Sequence, residues 1–294
     1  MRPVKILTDS CSDLPRELRE KYDIDYVRMQ TVYEGKEQWA SLDFEYYTPK
    51  ELYDIMRAGN RILTTQVPTD EFERVFGKYL EDGFDLVYIG CSLKQSSSVN
   101  TGTVVAKKLL ENYPDAKIFC IDSLNACIGE GMLAMKAAEL RDEGLDAQTI
   151  HEKILAMRNT VNEFVTVHSL DCLKRAGRVK ASSAFFGNLF GVKPILIADA
   201  EGYQSAFKKV KGRQGSLQEV VSLMKENIVN PEEQCIYIVH ADCAEEAQQL
   251  REMVEKEIPC KSTYTTYIGP IIGASVGPDT IGLYAFGKEV TYRG

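Results

Sequence analysis

Apolar positions along the chain fall into two recurring patterns, short continuous runs and longer stretches with helical spacing. VKIL at 4–7 reads as a buried strand, and the polar turn TDSCSD that follows can cap the helix LPRELREKY. Thr48-Pro49-Lys50-Glu51 is a capping box with proline at the first helical position. DLVYIGCS at 85–92 repeats the buried-strand pattern ahead of the helix TVVAKKLLENY. KIFCIDS at 117–123 repeats it again, before a glycine-bearing turn and the helix MLAMKAAELRDEG. Residues 146–160 give one more amphipathic helix. Beyond residue 160 the rhythm changes. FVTVHS predicts a strand and LDCLKRAGR a short helix and turn. KPILIAD and YQSAFKKVK flank Ala200-Glu201-Gly202 and predict a hairpin. The strand QCIYIVHA, the helix AEEAQQLREMVEKE and strands around TYTTYIG and TIGLYAFG complete the pattern. This alternation predicts an α/β protein of two closely packed domains. The first, residues 1–160, carries a parallel doubly wound sheet, and the second, 161–294, a mixed sheet with helices.

Composition fits that picture. The 294 residues are 44% hydrophobic and 27% charged, enough to build two cores. Lys and Arg number 35 against 43 Asp and Glu, a formal charge of −8, which opposes general phosphate-backbone binding, so no nucleic-acid partner is expected. No run approaches the ~18 apolar residues of a membrane span. MRPVKILTDS lacks the apolar stretch of a signal peptide, so the expected location is cytoplasmic. The eight cysteines form no C-x-x-C and no zinc-like spacing with histidine; reduced thiols and no metal are expected. H-E-x-x-H and the P-loop pattern are both missing.

Two chemistry-bearing patterns sit in unfavourable contexts. Gly129-Glu130-Gly131-Met132-Leu133-Ala134 matches the dinucleotide fingerprint, but SLNACI separates it from the preceding strand. Close backbone approach explains those glycines better. Gly273-Ala274-Ser275-Val276-Gly277 matches the nucleophile-elbow pattern, yet Pro278 and a strand follow and no histidine lies beyond it. A serine hydrolase (esterase) using Ser275 or Ser92, with His168 or His240 as base, is the alternative reading. More informative are the hydroxyls at strand ends: Thr8-Asp9-Ser10, Thr64-Thr65-Gln66, Cys91-Ser92 and Asp122-Ser123. In open α/β sheets, ligands bind beyond the carboxyl ends of the strands, where hydroxyls and helix N-termini can hold an anion. Basic turns at 174–178 and 208–213 could add charge. FFGNLFGV at 185–192 and IGPIIGA at 268–274 are apolar on too many sides for surface helices and suit a core or a tunnel wall.

In order along the chain, TDS at 8–10, TTQVP at 64–68, CS at 91–92, IDS with GEG within 121–131, SLDCLKRAGR at 169–178, FGNLFGVKPIL at 186–196, KVKGR at 209–213 and IGPIIGASVGP at 268–278 resemble the DegV family, the bacterial fatty-acid-binding proteins of the fatty-acid kinase system. The resemblance implies a non-enzymatic carrier that buries one long-chain fatty acid in a tunnel at the domain interface. The carboxylate would be held by Thr64, Thr65, Ser92 and Ser275, with Arg178, Lys211 and Arg213 facing the head group or kinase. Phe185, Phe186, Leu189, Phe190, Ile271 and Ile272 would line the tunnel. A separate kinase would phosphorylate the carboxylate for phospholipid synthesis, with transient contact at a membrane surface; no cofactor beyond the acid is implied. A sixteen-carbon tail at about 0.8 kcal/mol per buried methylene gives on the order of 10 kcal/mol gross. The chain departs from the family pattern where GAHVGPG is common: Ser275 replaces the histidine, and Asp279 stands at a glycine position, with a carboxylate that would oppose the ligand if it pointed inward.

Overall fold

The computed structural model describes residues 2–182, 185 and 191–294. They form two compact units: Met1–Tyr46 with Leu63–Arg158, and Tyr47–Ile62 with Asn159–Gly294. Residues 47–62, in the stretch expected within the first domain, thus belong to the second unit.

The first unit is built on four parallel strands, β1 (Val4–Asp9), β2 (Ile24–Val27), β6 (Asp85–Gly90) and β7 (Ile118–Asp122), in the order β2-β1-β6-β7. Every residue of β1 and β6 is buried, as in a sheet covered on both faces. The order reverses between β1 and β6, which makes their carboxyl ends the topological switch point. A second sheet, β3 (Gln30–Tyr33), β4 (Lys36–Trp39) and β5 (Leu63–Thr65), is antiparallel in the order β4-β3-β5. The pattern reading did not resolve it, because its strands are short and mostly part-exposed.

Six helices start in the chain before residue 158: α1 (Arg16–Lys21), α2 (Pro49–Arg57), α3 (Thr69–Glu81), α4 (Ser98–Leu110), α5 (Cys127–Asp142) and α6 (Ala147–Met157). α2, which belongs to the second unit, carries the expected capping box: Thr48 Oγ1 accepts the Glu51 amide, and the Thr48 amide donates to Glu51 Oε2. α3 buries Phe72, Val75, Phe76, Tyr79 and Leu80 at helical spacing, and Phe72 and Phe76 pack edge-on against Tyr88. α5 is buried over most of its surface. It begins before the GEG glycines, which therefore lie inside a helix and not in a nucleotide loop. A Cβ at Gly131 would sit 2.8 Å from the Ser12 carbonyl oxygen and 2.7 Å from Leu14 Cγ, so close approach is what requires glycine there.

The second unit holds a seven-stranded mixed sheet, β13-β12-β14-β8-β10-β11-β9. Its strands are β8 (Val161–Thr166), β9 (Val179–Lys180), β10 (Val192–Ala198), β11 (Gln204–Lys211), β12 (Cys235–His240), β13 (Ser262–Tyr267) and β14 (Ile281–Phe286). β10 and β11 form the expected antiparallel hairpin. Its turn is fixed by Asp199 Oδ1, which accepts the amides of Glu201 and Tyr203. Besides α2, its helices among the described residues include α7 (Asp171–Ala176), α8 (Arg213–Asn227), α9 (Ala244–Glu257) and α10 (Pro270–Val276). Leu217, Val221 and Met224 of α8 and Leu250 of α9 join Ile195, Ile236, Ile238 and Leu283 of the sheet in one core. No helix among the described residues is long and apolar enough to cross a membrane.

Candidate functional site

The switch point of the first unit is organised by one buried carboxylate. Asp9 Oδ1 accepts the Cys11 amide at 2.8 Å, and Oδ2 accepts the Tyr88 hydroxyl at 2.7 Å and the Cys91 amide at 3.1 Å. Beside it, Glu130 Oε1 accepts Thr8 Oγ1 at 2.7 Å and the Asp9 amide at 3.4 Å. Both acids are fully buried. Burial and the neighbouring Asp9 charge push the Glu130 carboxyl well above the usual range. Burial also raises Asp9, against which its three donors stabilise the anion.

Ser92 is fully buried just beyond this carboxylate. Its amide donates to the Asn125 carbonyl at 2.8 Å, its carbonyl accepts the amides of Gln95 and Ser96, and its Oγ accepts the Lys94 amide at 3.2 Å. Thr64 and Thr65 lie on β5, part-buried. A chain of bonds within the unit links the two segments. Ser96 and Ser98 share a hydroxyl contact of 3.0 Å, and Ser98 Oγ accepts the Val67 amide at 3.1 Å. Other strand-end hydroxyls are engaged within the protein: Thr8 with Glu130, Ser10 with Ala40 and Met29, and Ser123 with Asn125.

In the second unit, Ser275 and Ile272 are part-buried on α10, and Ile271 of the same helix is buried. Asp279 follows in the left-handed region at φ 60°, which explains glycine at this position in the related pattern. Its carboxylate meets Arg57 of α2 at 2.7 Å, and Arg57 also reaches Asp242 at 2.6 Å. The added negative charge is therefore paired within the unit, on a guanidinium it shares with Asp242 and Asp54. Arg57 and Asp279 are each about one-third exposed (33% and 35%), so solvent screens the pair. Arg57→Ala is expected to cost about 1 kcal/mol at low salt, and less at high salt. Asp279→Gly should cost less, because relief of the left-handed backbone offsets the lost pair. A double-mutant cycle by urea unfolding at two salt concentrations measures the coupling.

Arg213, at the start of α8, grips Glu246 through Nε at 3.0 Å and Nη2 at 2.7 Å, and Nη2 also donates to the Asp279 carbonyl at 2.6 Å. A cleft of about 460 Å³ lies here, with His168, Cys243, Glu246 and Asp279 in its lining. Lys211 and Arg178 are exposed, and Arg178 donates to the Ala176 carbonyl. Phe185 is part-buried beneath the Lys209 ammonium, 5.0 Å from its ring centre. Phe186, Leu189 and Phe190 lie outside the described residues.

The esterase alternative finds no support. Ser275 sits within a helix that leads into β14, the reverse of the strand–turn–helix of a nucleophile elbow. His240 Nδ1 accepts the Cys243 amide, and its ring packs on Tyr267. The residues sequence reasoning passed over are Glu130, Tyr88, Asn125 and Arg57. Only Glu130 carried a signal, since GEG was visible as a motif while its pairing with Thr8 was not.

The parallel sheet with its buried switch point and the mixed sheet beside α8 and α9 recur in known proteins. The family model described as "Uncharacterised protein, DegV family" matches residues 3–288. A DegV domain-containing protein of Clostridium perfringens is 35% identical over 287 residues, covering 98% of each chain. A DegV family protein from Thermus thermophilus, whose structure is described as showing fatty acid binding, superposes with a TM-score of 0.87 at 26% identity, covering 98% of this chain and 100% of that one. A stearic acid-binding protein from Eubacterium ventriosum gives 0.84 at 26% identity, over 98% and 99% of the two chains. With fold, motif order and sequence in agreement over nearly its full length, the chain belongs to the DegV family.

Proposed function

We propose that the chain binds one long-chain fatty acid in a buried apolar tunnel and presents its carboxylate to a separate kinase for acyl-phosphate formation. The observation that carries this reading is the close likeness to DegV proteins described as fatty-acid-binding, at 25–26% identity and TM-scores of 0.84–0.87. Thr64, Thr65, Ser92 and Ser275 are the proposed carboxylate ligands. Hydroxyl groups suit a carrier, because they hold an anion without the desolvation cost of a buried ion pair and leave it open to phosphorylation. Phe185, Phe186, Leu189, Phe190, Ile271 and Ile272 are the proposed tunnel wall. Arg178, Lys211 and Arg213 are proposed to face the kinase, with Arg213 pre-oriented by its grip on Glu246. The chain in this reading is a cytoplasmic carrier that contacts the membrane surface transiently, and the phosphoryl transfer belongs to its partner.

Native mass spectrometry of the purified chain, followed by extraction of the ligand, tests the reading. One fatty acid per chain is expected, with weaker retention in Thr65→Val and Ser92→Ala. A chain that is empty and takes up neither palmitate nor oleate refutes it.

A further inference from the structure

We infer that Asp9 is a positioning residue for the lipid head group, acting through Ser92. This rests on the fatty-acid reading above. Asp9 lies at the carboxyl end of β1, and Ser92 follows the carboxyl end of β6, on the two sides of the switch point. The Asp9 carboxylate spans them, taking the Cys11 amide on one oxygen and the Cys91 amide on the other. Cys91 directly precedes Ser92, whose own amide is held by the Asn125 carbonyl. Two consecutive amides are therefore fixed, one by Asp9 and one by Asn125, and with them the direction in which Ser92 offers its hydroxyl. Tyr88 sets the carboxylate's rotation through its 2.7 Å bond to Oδ2. Asp9 itself is fully buried and bonded to the protein on both oxygens, so it does not contact the ligand.

Asparagine has the shape of aspartate but only one acceptor atom. In Asp9→Asn one of the two amides must face an NH₂ group, so the side chain no longer brackets both loops and the segment carrying Ser92 loses its fixed position relative to β1. The informative quantity is the preference for palmitate over hexadecanol, two ligands with the same tail and different heads. Destabilising the fold weakens both; misdirecting Ser92 weakens the acid more than the alcohol, because a hydroxyl bond to a charged carboxylate is the stronger one. Binding of both ligands to the full-length chain is measured by calorimetry or fluorescence competition.

Asp9→Asn is expected to lower the palmitate preference about tenfold, with hexadecanol affinity falling less than palmitate affinity. Ser92→Ala should lower it similarly, and the double variant no further, because the two act in series. Equal weakening of both ligands, or additive losses in the double variant, overturns the proposal and leaves Asp9 as a structural residue. If Asp9→Asn does not fold, Tyr88→Phe carries the test. It keeps the ring and removes one of the two donors on Oδ2, loosening the carboxylate's hold on the Cys91 amide, so the preference should fall about threefold; an unchanged preference overturns the proposal. A wild-type chain that binds neither ligand instead refutes the lipid reading on which the inference stands.

Discussion

Gly273→Ala is expected to cost about 2–3 kcal/mol of stability, and adding Tyr53→Phe to that variant is expected to return about 1 kcal/mol. The close approach of α10 to α2 is the reason. A Cβ at Gly273 would fall inside contact distance of the Tyr53 hydroxyl and lie 3.0 Å from Cζ of the ring. Tyr53 cannot simply swing aside. Its side chain is fully buried, and its hydroxyl donates to the Ile268 carbonyl at 2.6 Å. Displacing it breaks that bond and opens the packing on both sides. Alanine's better helix propensity, worth about 1 kcal/mol over glycine, offsets only part of this. Tyr53→Phe alone should cost about 1 kcal/mol for the lost hydrogen bond. In the double variant the obstructing oxygen is gone, so the cost should be less than the sum. Urea unfolding of the four proteins measures the coupling. Simple additivity would mean that the glycine is there for another reason. Ser275, a proposed carboxylate ligand, lies two residues along the same helix, so under the proposed function Gly273→Ala should also weaken lipid retention.

How far the sequence could be read depended on whether the deciding contact was local. β1 and β6 are continuous apolar runs followed by helices, the pattern a buried parallel sheet imposes, and the part-buried edge strand β7 keeps the same run. The Thr48 capping box and the 199–203 turn are set by side chains within a few residues, and both were legible. The membership of residues 47–62 in the second unit was not, because it depends on contacts such as Tyr53 with Ile268 and Arg57 with Asp279. β3–β5 left little trace, since part-exposed short strands carry weak alternation. At the candidate site, motif order singled out TDS, TTQVP and CS, but not what each side chain does. Ser10 and Ser123 look like ligand hydroxyls in sequence and are hydrogen-bonded to the protein backbone. Asp9 looks like a turn residue, yet it holds two loops together. Asp279 raised a question of charge that only Arg57, far away in sequence, answers.

Glu163→Gln is expected to stabilise the protein at pH 8 by about 3 kcal/mol more than it does at pH 4. Glu163 lies on β8, opposite Tyr284 of β14, and is almost wholly buried. Its Oε1 accepts Gln204 Nε2 at 2.6 Å. Burial pushes its carboxyl up to about 7, against the opposing hydrogen bonds from Gln204 and Tyr284. The ordinary value, which the unfolded chain restores, is 4.5. Below the unfolded value both states carry the proton, and the group contributes no pH dependence. Between the two values the folded state holds a proton that the unfolded state has released, so stability falls as pH rises. Above the folded value the loss is complete and levels off. At about 1.4 kcal/mol per unit of pKa difference, the whole interval is worth about 3 kcal/mol. Glutamine keeps an acceptor for Gln204 and has no proton to lose, so it removes this slope and leaves the packing in place. Chemical denaturation of wild type and variant from pH 4 to pH 8 measures the difference. A gap that stays constant with pH would show that Glu163 titrates as an ordinary carboxyl, with water or another donor reaching it in the folded protein. A gap that closes between pH 8 and pH 4 would place a neutral acid in the core of the second unit at mildly acidic pH.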